Sequence, residues 1–315
     1  MLRRGFLAAA AAASAVAGSC GRSGRLIIGV VPKATSHLFF VSIHSGVRTA
    51  AQEFGVDIIW NGPNDETDSN RQIQIVDSMI ARRVAALAIS ATDERALTAP
   101  VERAIAAGIP VTVFDSGVNT DRYVTFVATD NAGAGVTAAR RLGALTPVKT
   151  TLAMVMQKPG GASTGARERA FEETIAQQFP KHSIVARQYC MADRARALAA
   201  AENILTAHPD IGGLFCSSEA ASLGAIHALE ARGMAGKVRL VTFDTSQTHV
   251  DALKAGTIDV MLVQDAVRIG YEAVASLARK LRGETPARLA SLPAREIVRA
   301  DLGQADVESL LRPIQ

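Results

Sequence analysis

Residues 161–165 read Gly-Ala-Ser-Thr-Gly, which matches the nucleophile elbow that presents a catalytic serine in α/β hydrolases. Asp244 and His249 follow Ser163 in the chain order of a hydrolase triad. An elbow places its serine directly at the end of a strand, but residues 157–160 separate Ser163 from the preceding apolar run. The sequence has no His-Gly-Gly oxyanion motif, and the aspartate and histidine share one short segment. A serine hydrolase that uses Ser163 is therefore a distant alternative.

Three other kinds of chemical site fit the sequence poorly. Gly160 and Gly165 have the spacing of a phosphate-binding loop, but Ala166 and Arg167 stand where that motif requires Lys and Ser or Thr. The segment 32–37 after the first apolar run has no glycine, so it cannot be a dinucleotide fingerprint. The histidines lack the spacing of a metal site. We therefore predict no cofactor, no metal and no enzymatic activity.

The composition limits the classes of protein that this chain can belong to. It has 315 residues, of which 48% are apolar, 20% charged and 4% aromatic. These values are typical of a globular protein, and at roughly 100–200 residues per domain the length predicts two domains. No apolar run after residue 20 reaches the ~18–20 residues of a membrane span. The net charge of +4 comes from scattered residues without a basic stripe, which argues against nucleic-acid binding.

The first twenty residues resemble a targeting segment. Two arginines are followed by an apolar stretch over 6–17 and then by small residues, which is the order of a secretory signal peptide. Residues 17–20, Ala-Gly-Ser-Cys, also resemble a bacterial lipobox. We therefore expect a signal peptide over 1–20, lipidation of Cys20 and a membrane-anchored periplasmic protein. Cleavage without a lipid anchor is the alternative.

From residue 26 onward, short apolar runs alternate with helical patterns. Continuous Val/Ile/Leu runs are typical of parallel strands that are buried on both faces. We predict ten strands, over 26–31, 56–60, 86–89, 110–114, 124–128, 152–156, 184–189, 212–215, 238–243 and 258–263. We predict helices between them, over 41–54, 69–83, 96–107, 132–145, 164–179, 194–207, 219–232 and 266–282. This alternation predicts an α/β protein with two doubly wound domains of about five strands each.

Two cysteines remain if Cys20 is lipidated, and both follow or end short strand-like runs. The predicted strand order places another strand between Cys190 and Cys216. A disulfide requires the two Cα atoms to lie within about 7 Å, so we predict that both thiols are free and partly buried.

The segments at the carboxyl ends of the predicted strands carry a family resemblance, because ligands of doubly wound sheets bind there. Together they resemble the periplasmic sugar-binding proteins of the ribose-binding type. The VPK, WNGP and Asp-Ser-Gly motifs look closer to the branch of this family that includes rhamnose and furanosyl autoinducer binders. The resemblance extends from Leu26 to Arg282. It rests on VVPKATSHLFFVSIHSGV, IIWNGPNDETD, GIPVTVFDSGV, FVATDN, GGASTGARERAF, ILTAHPDIGGLFCSSEAASLGA, VTFDTS and GTIDVMLVQD, in that order.

The resemblance implies two doubly wound parallel-sheet lobes joined by a three-segment hinge, the type 1 periplasmic binding fold. It implies a first lobe formed by 26–130 with 266–292, and a second lobe formed by 131–264 with 293–315. The hinge crossings are expected near residues 130–131, 264–265 and 292–295. Closure of the lobes on a ligand would be a hinge motion driven by the higher affinity of the closed state.

The resemblance also assigns a set of ligand-binding residues. Phe39 and Phe40 match an aromatic pair that stacks on the apolar faces of a sugar. Asp115 matches a carboxylate that accepts sugar hydroxyls, and Arg167 matches an arginine whose several donors suit oxygen atoms. The last two polar contacts are matched by Asp244 and Gln264. For each of these residues a role outside the ligand site remains open. One of the two Phe rings could lie in the core, Arg167 could be exposed to solvent, and Asp244 could cap a helix.

The sequence departs from the ribose-binding pattern at several positions of the expected site. Ser116 replaces an arginine, Ala192 replaces a stacking aromatic residue, and Ser218 replaces an asparagine. Each replacement is smaller, so we expect a wider or shifted site for which ribose is not the best ligand. Lys33 and Trp60 are possible additional contacts from the first lobe, although Trp60 could equally cover the sheet core.

The function implied by the resemblance is that of the solute-binding component of an ABC importer. We expect a monomer that binds an unphosphorylated monosaccharide, deoxy sugar or polyol and delivers it to a permease in the inner membrane. A subunit that presents its ligand to a chemoreceptor or sensor kinase is the main alternative. A sugar-responsive repressor is disfavoured, because the chain opens with a signal-like segment and not with about sixty residues of helix-turn-helix and hinge.

Overall fold

A computed structural model describes residues 25–311 of the chain, so the predicted signal peptide and Cys20 lie outside the described residues. Its strands are β1 Ile27–Val31, β2 Asp57–Trp60, β3 Ala86–Ile89, β4 Val111–Phe114, β5 Thr125–Thr129, β6 Thr151–Met156, β7 Ser183–Tyr189, β8 Gly213–Cys216, β9 Arg239–Phe243, β10 Val260–Val263, β11 Leu289–Leu292 and β12 Arg295–Ile297. Its helices are α1 Leu38–Phe54, α2 Ser69–Ala81, α3 Thr98–Ala106, α4 Asn131–Leu145, α5 Ala162–Gln178, α6 Arg194–Ala207, α7 Glu219–Ala231, α8 Gln247–Ala255, α9 Ala266–Leu281 and α10 Ala305–Leu311, with a 3-10 turn at Arg299–Asp301. No helix within residues 25–311 is long and apolar enough to cross a membrane.

The strands form two six-stranded sheets whose orders correspond strand by strand. The first sheet has the order β11-β5-β4-β3-β1-β2 and the second has the order β12-β10-β9-β8-β6-β7. Every neighbouring pair is parallel except β12, which pairs antiparallel with β10. The predicted α/β fold with two doubly wound sheets is therefore confirmed. We call the part built on the first sheet the N lobe and the part built on the second sheet the C lobe.

Helices cover both faces of each sheet. In the N lobe, α1 and α9 pack on one face and α2 and α3 on the other. In the C lobe, α4 and α5 pack on one face, and α6, α7, α8 and α10 pack on the other. The contact between α1 and α9 is close because two glycines lie in it. A Cβ atom on Gly46 would lie 1.8 Å from the Val267 carbonyl oxygen, and one on Gly270 would lie 2.0 Å from that of Ile43.

The chain passes from one lobe to the other at three places, which lie side by side. These are the links from β5 to α4, from β10 to α9 and from β11 to β12. The backbone amide of Asp130 donates to the Leu292 carbonyl oxygen at 2.8 Å, which joins the first link to the third. The Thr129 hydroxyl donates to Oε1 of Gln264 at 2.7 Å, which joins the first link to the second. The three links therefore form one hydrogen-bonded hinge.

The structure adds elements that the sequence pattern did not predict, namely α8, α10, β11, β12 and the 3-10 turn. Strand β11 is short and half exposed, with Leu289 at 59% exposure, so it lacks the apolar run used to predict strands. Helix α8 has only nine residues, but it carries recognisable end signals. Ser246 caps its start, and Gly256 ends it in the left-handed conformation at φ 85°.

The prediction of two free thiols is confirmed for the described residues. Cys190 follows β7, Cys216 ends β8, and β6 lies between these strands. Both cysteines are buried, and burial raises the pKa of the Cys190 thiol to about 12. Burial likewise raises the pKa of Cys216 well above its ordinary value. Both thiols are therefore protonated and inert at neutral pH.

Candidate ligand-binding cleft

A small polar cavity lies between the lobes, where the carboxyl ends of strands from both sheets meet. Its volume is about 30 Å³, enough for roughly two water molecules and far too small for a sugar ring. Side chains of the two lobes therefore meet across it in a closed arrangement. The cavity is lined by Lys33, His37, Phe39, Glu66, Asp115, Gln157, Ser163, Thr164, Arg167, Ser218, Glu219, Ala220, Asp244 and Gln264.

Asp115 is the carboxylate that the N lobe contributes from the end of β4. Its backbone has φ 56°, a left-handed conformation that turns the chain away from the strand, and only 3% of its surface is exposed. The Ser90 hydroxyl donates to Oδ2 of Asp115 at 2.7 Å. The Lys33 ammonium lies 3.1 Å from the same oxygen. Within the described part of the chain, the other carboxylate oxygen accepts no hydrogen bond, so it can accept one from a ligand.

Lys33 also belongs to a second ion pair, with Glu66. The Lys33 ammonium lies 3.7 Å from one oxygen of Glu66, and Nδ1 of His37 lies 3.4 Å from the other. Burial alone would raise the pKa of Glu66, but these two cations hold it at about 2. Burial acts to lower the pKa values of Lys33 and His37, yet the neighbouring carboxylates raise both above their ordinary values. The N-lobe wall is thus a chain of alternating charges.

Glu66 and His37 are not among the residues predicted from the sequence to bind the ligand. Glu66 lies six residues after the end of β2, within a polar run of Asn, Asp, Glu and Thr. Nothing in that run distinguishes the one acid that turns inward. The one signal that could have identified Glu66 is its position beyond the end of β2, because ligand-binding residues of such sheets lie beyond the strand ends.

Arg167 is the central cation of the C lobe and is 2% exposed. It lies on α5 and donates to Oδ1 of Asn131 through Nε at 3.0 Å and Nη2 at 2.6 Å. Its Nη1 donates to the Ser217 carbonyl oxygen at 2.8 Å. The guanidinium stacks 3.8 Å from the centre of the Phe243 ring. Burial lowers the pKa of Arg167, although the nearby carboxylates Asp244 and Asp115 oppose this.

Asp244 and Gln264 lie beside Arg167 in the same network. Asp244 follows β9 with φ 69°, and its Oδ1 accepts from the Gln264 amide nitrogen at 2.7 Å. Its Oδ2 accepts from the Glu219 backbone amide at 3.1 Å. Burial raises the pKa of Asp244 above its ordinary value, although Arg167 opposes this. Since Gln264 also accepts from Thr129 in the hinge, the site and the hinge are directly bonded to each other.

Further contacts join the lobes around the cavity. On one rim, the Lys158 ammonium donates to the Thr92 carbonyl oxygen at 2.7 Å. Beside it, the Glu94 backbone amide donates to the Gly160 carbonyl oxygen at 3.1 Å. Near the cavity centre, the Lys33 ammonium lies 3.5 Å from Oγ of Ser163. These contacts require the lobes to be closed.

The structure brings most of the predicted residues together around the cavity, but four of them do not line it. Phe39 lines the cavity, whereas Phe40 is 1% exposed and packs in the N-lobe core, 5.8 Å below the Lys33 ammonium. Trp60 covers the sheet and stacks on His44 with ring centres 4.5 Å apart. Ala192 is buried, and its backbone amide donates to the Gln157 carbonyl oxygen. Neither these three residues nor Ser116 is among the described residues that line the cavity.

The two remaining predicted serines have structural partners. Ser218 caps α7 by accepting from the Ala221 amide, and its hydroxyl donates to Oε1 of Gln157. Ser116 is fully buried, and its Oγ lies 3.5 Å from the backbone amide of Ser163 in the other lobe. Ser218 lines the cavity, whereas Ser116 lies behind its lining.

The residues of the hydrolase alternative have separate partners. Ser163 lies inside the first turn of α5, and Asp244 accepts from Gln264 and Glu219. Nδ1 of His249 pairs with the Ser246 hydroxyl at 2.8 Å, and burial lowers the pKa of this histidine to about 4. Within residues 25–311, Ser163, Asp244 and His249 share no hydrogen bond, so they do not form a proton relay.

Comparison with known proteins gives one consistent family. Residues 28–285 match the profile of the periplasmic binding protein domain. The ribose import binding protein of Bacillus subtilis is 29% identical over 273 residues, which cover 87% of each chain. The D-ribose/D-allose-binding protein of Pseudomonas aeruginosa is 28% identical over 267 residues, covering 82% of this chain and 83% of the relative.

Solved structures agree with this assignment of the fold. A carbohydrate transporter solute binding protein from Agrobacterium radiobacter, in complex with D-arabinose, superposes with a TM-score of 0.89 at 27% identity, covering 92% of this chain and 100% of that one. An ABC transporter solute binding protein from Agrobacterium vitis, bound with alpha-D-tagatopyranose, has a TM-score of 0.87 at 26% identity, covering 91% of this chain and 99% of that one.

Proposed function

Because the chain belongs to the periplasmic binding protein domain family, we propose that it is the solute-binding component of an ABC importer and binds an unphosphorylated sugar or polyol. The observation that carries this proposal is the meeting of Asp115 from one lobe with Arg167 and Asp244 from the other around one cavity. Carboxylates accept hydrogen bonds from hydroxyl groups, and a guanidinium donates to ring and hydroxyl oxygens. The relatives named above bind ribose or allose, and the Agrobacterium radiobacter protein holds D-arabinose.

The charge balance of the cavity supports a neutral ligand. Four carboxylates line it, on Glu66, Asp115, Glu219 and Asp244, against the cations Lys33 and Arg167 and the histidine His37. Lys33 is already paired with two of these acids. A phosphate ester would bring a further ≈1.5–2 negative charges into this set of acids, where like charges repel strongly at low effective dielectric. A polyol offers the donors that the carboxylates need without adding charge.

We propose that the ligand enters when the lobes open about the three-segment hinge. The moving units would be 26–130 with 266–292 and 131–264 with 293–315. This division is supported by the packing of α9 on α1 and by the membership of β11 in the first sheet and of β12 in the second. On closure, Phe39 would cover one apolar face of the ligand while the polar groups of both lobes bind its edge.

We propose that the protein acts in the periplasm, where the relatives' family functions, and passes its ligand to a permease in the inner membrane. The signal-like residues 1–20 support export, and Cys20 is the proposed site of lipidation. A lipid on this residue would keep the binding protein close to its permease.

A ligand screen tests the proposal. Thermal shifts of the wild-type protein are measured with pentoses, hexoses, deoxy sugars, polyols, amino acids and phosphorylated sugars, and the best ligands are titrated by calorimetry. A neutral sugar or polyol is expected to give the largest shift, and ribose is not expected to rank first. An amino acid or a phosphate ester in first place would contradict the assignment of a neutral sugar.

A further inference from the structure

Helix α1 begins at the cleft without a side-chain cap of its own among the described residues. Its N-cap residue is His37, whose ring pairs with Glu66 and makes no hydrogen bond to the helix. The first turn of a helix leaves backbone amides unpaired and carries a partial positive charge. Most of the other helices have an Asp or Ser cap in their own chain segment, namely Asp68, Asp130, Asp193, Ser218, Ser246 and Asp265.

The missing partner for α1 comes from the opposite lobe. The backbone amide of Phe39, in the first turn of α1, donates to Oε2 of Glu219 at 3.3 Å. Glu219 is the first residue of α7 in the C lobe, and its side chain is 5% exposed. Nη2 of Arg194 donates to the other carboxylate oxygen at 2.6 Å. Arg194 thus fixes the carboxylate of Glu219. The carboxylate oxygen that Arg194 does not hold faces the start of α1.

A second helix at the cleft shows the reciprocal arrangement. Helix α5 of the C lobe begins at Gly161, which has no side chain to cap it. The Ser163 amide in its first turn lies 3.5 Å from Oγ of Ser116, which belongs to the N lobe. Each lobe therefore offers a side-chain oxygen to an uncapped helix start of the other lobe. Both contacts exist only when the lobes are closed.

We propose that Glu219 is a closure residue. It lines the cavity, but its two carboxylate oxygens are already held by Arg194 and by the Phe39 amide, so it raises ligand affinity by capping α1 from the opposite lobe and not by binding the ligand. This inference rests on the proposed function, because closure matters only in a protein that closes on a ligand. In the open state α1 would lose its cap and Glu219 would keep only Arg194. The free energy of this cap would therefore enter the equilibrium between the open and closed states, and through it the affinity for every ligand that requires closure.

The first test compares Glu219→Ala and Glu219→Gln with the wild type. The probe is D-arabinose, D-allose or D-ribose, each titrated separately by calorimetry. Glu219→Ala is expected to weaken each measurable affinity by about three- to thirtyfold, and Glu219→Gln by less, because its amide oxygen can still accept from Phe39. An equal factor for all sugars supports an action through closure. A loss confined to one epimer would show that Glu219 touches the ligand, and would overturn the proposal.

A matched control separates closure from stability. Glu172 pairs with Arg187 at 2.9 Å inside the C lobe, so Glu172→Gln also breaks an Arg–Glu pair but leaves the lobe contact intact. This variant is expected to bind each sugar as the wild type does. If both variants lower the melting temperature equally and neither changes affinity, Glu219 has only a structural role and the proposal fails.

Amide hydrogen exchange tests the cap even if no sugar binds. The backbone amide of Phe39 is followed in the ligand-free protein and with the sugar of highest affinity. Glu219→Ala is expected to accelerate its exchange, whereas Glu172→Gln is not. Unchanged exchange at Phe39 would overturn the cap. If the wild type binds no sugar but Glu219→Ala still accelerates exchange at Phe39, the proposed function is refuted and the lobe contact is retained.

Discussion

The Lys33 ammonium lies 3.1 Å from the Asp115 carboxylate, and both groups are almost fully buried at the cleft. Together with Glu66, they form an ionic group in which one cation satisfies two acids. Removal of one member of a buried pair leaves the other charge without compensation, which is much more costly than loss of an exposed pair.

Lys33→Met is therefore expected to lower the free energy of unfolding by about 3–5 kcal/mol, because two buried carboxylates would lose their shared cation. Urea unfolding followed by circular dichroism measures the effect. Arg103→Met is the control, since Arg103 and Asp77 form a half-exposed ion pair at 2.8 Å. Its removal should cost at most about 1 kcal/mol. Equal effects of both substitutions would contradict the buried ionic group.

Asp244→Asn is expected to weaken sugar binding by about tenfold to a hundredfold, because a charged acceptor becomes neutral and the loss of a charge-assisted hydrogen bond costs about 1.5–3 kcal/mol. Asparagine is chosen because it tolerates the left-handed backbone at φ 69°, which alanine would strain. Calorimetric titration with the best sugar of the screen gives the affinity. The control is Asp210→Asn, because Asp210 is exposed. Wild-type affinity in Asp244→Asn would show that Asp244 does not belong to the site.

The depressed pKa of Glu66 predicts how stability responds to acid. Its pKa is about 2 in the folded protein, against an ordinary value of 4.5. The unfolded chain therefore takes up a proton first, so this contribution is present above pH 4.5 and is lost as the pH falls toward 2. Between pH 4.5 and 3 the wild type is expected to lose about 1–2 kcal/mol more than Glu66→Gln. Urea unfolding at both pH values measures the difference, and parallel losses would contradict it.

Cys20→Ser tests the predicted membrane anchor. If Cys20 carries a lipid, the wild type is expected in the membrane fraction and the variant in the soluble periplasmic fraction after cell fractionation. A wild type that is already soluble would show that the signal is cleaved without lipidation. The signal-peptide prediction itself is checked by determining the N-terminal residue of the mature protein.

The fold was predictable because its parallel strands are apolar on both faces. Strand β3, for example, is four consecutive apolar residues and is fully buried, and its predicted bounds agree with the structure. Strand β11 could not be found in this way, because backbone pairing with β5 holds it at the sheet edge and Leu289 remains exposed. Asp115 and Asp244 were assigned through the family resemblance, and the apolar runs that each directly follows only marked the segments to compare.

Other parts of the site depend on side-chain directions that the sequence does not determine. Phe39 and Phe40 are adjacent on a helix, so their side chains point about 100° apart and only one can face the cleft. Glu66 belongs to a turn with several acids, and only its contacts with Lys33 and His37 distinguish it from Asp65, which is exposed. Such contacts join residues far apart in the chain.

The strand-by-strand correspondence of the two sheets means that the cleft is approximately a meeting of two equivalent halves. Asp115 and Asp244 follow the matching strands β4 and β9, and their amides donate to Val127 and Leu262 on the next matching pair, β5 and β10. Lys33 and Lys158 likewise lie two residues beyond β1 and β6.

These two lysines have diverged, however. Lys33 turns inward to the acids, whereas Lys158 reaches across the rim to the Thr92 carbonyl oxygen. The carboxylates thus keep matching positions in the two lobes, whereas the lysines do not. A ring bound between the two carboxylates would meet an acid from either lobe but an inward-turned lysine from the N lobe only, and this asymmetry would distinguish the two ways in which the ring can face the lobes.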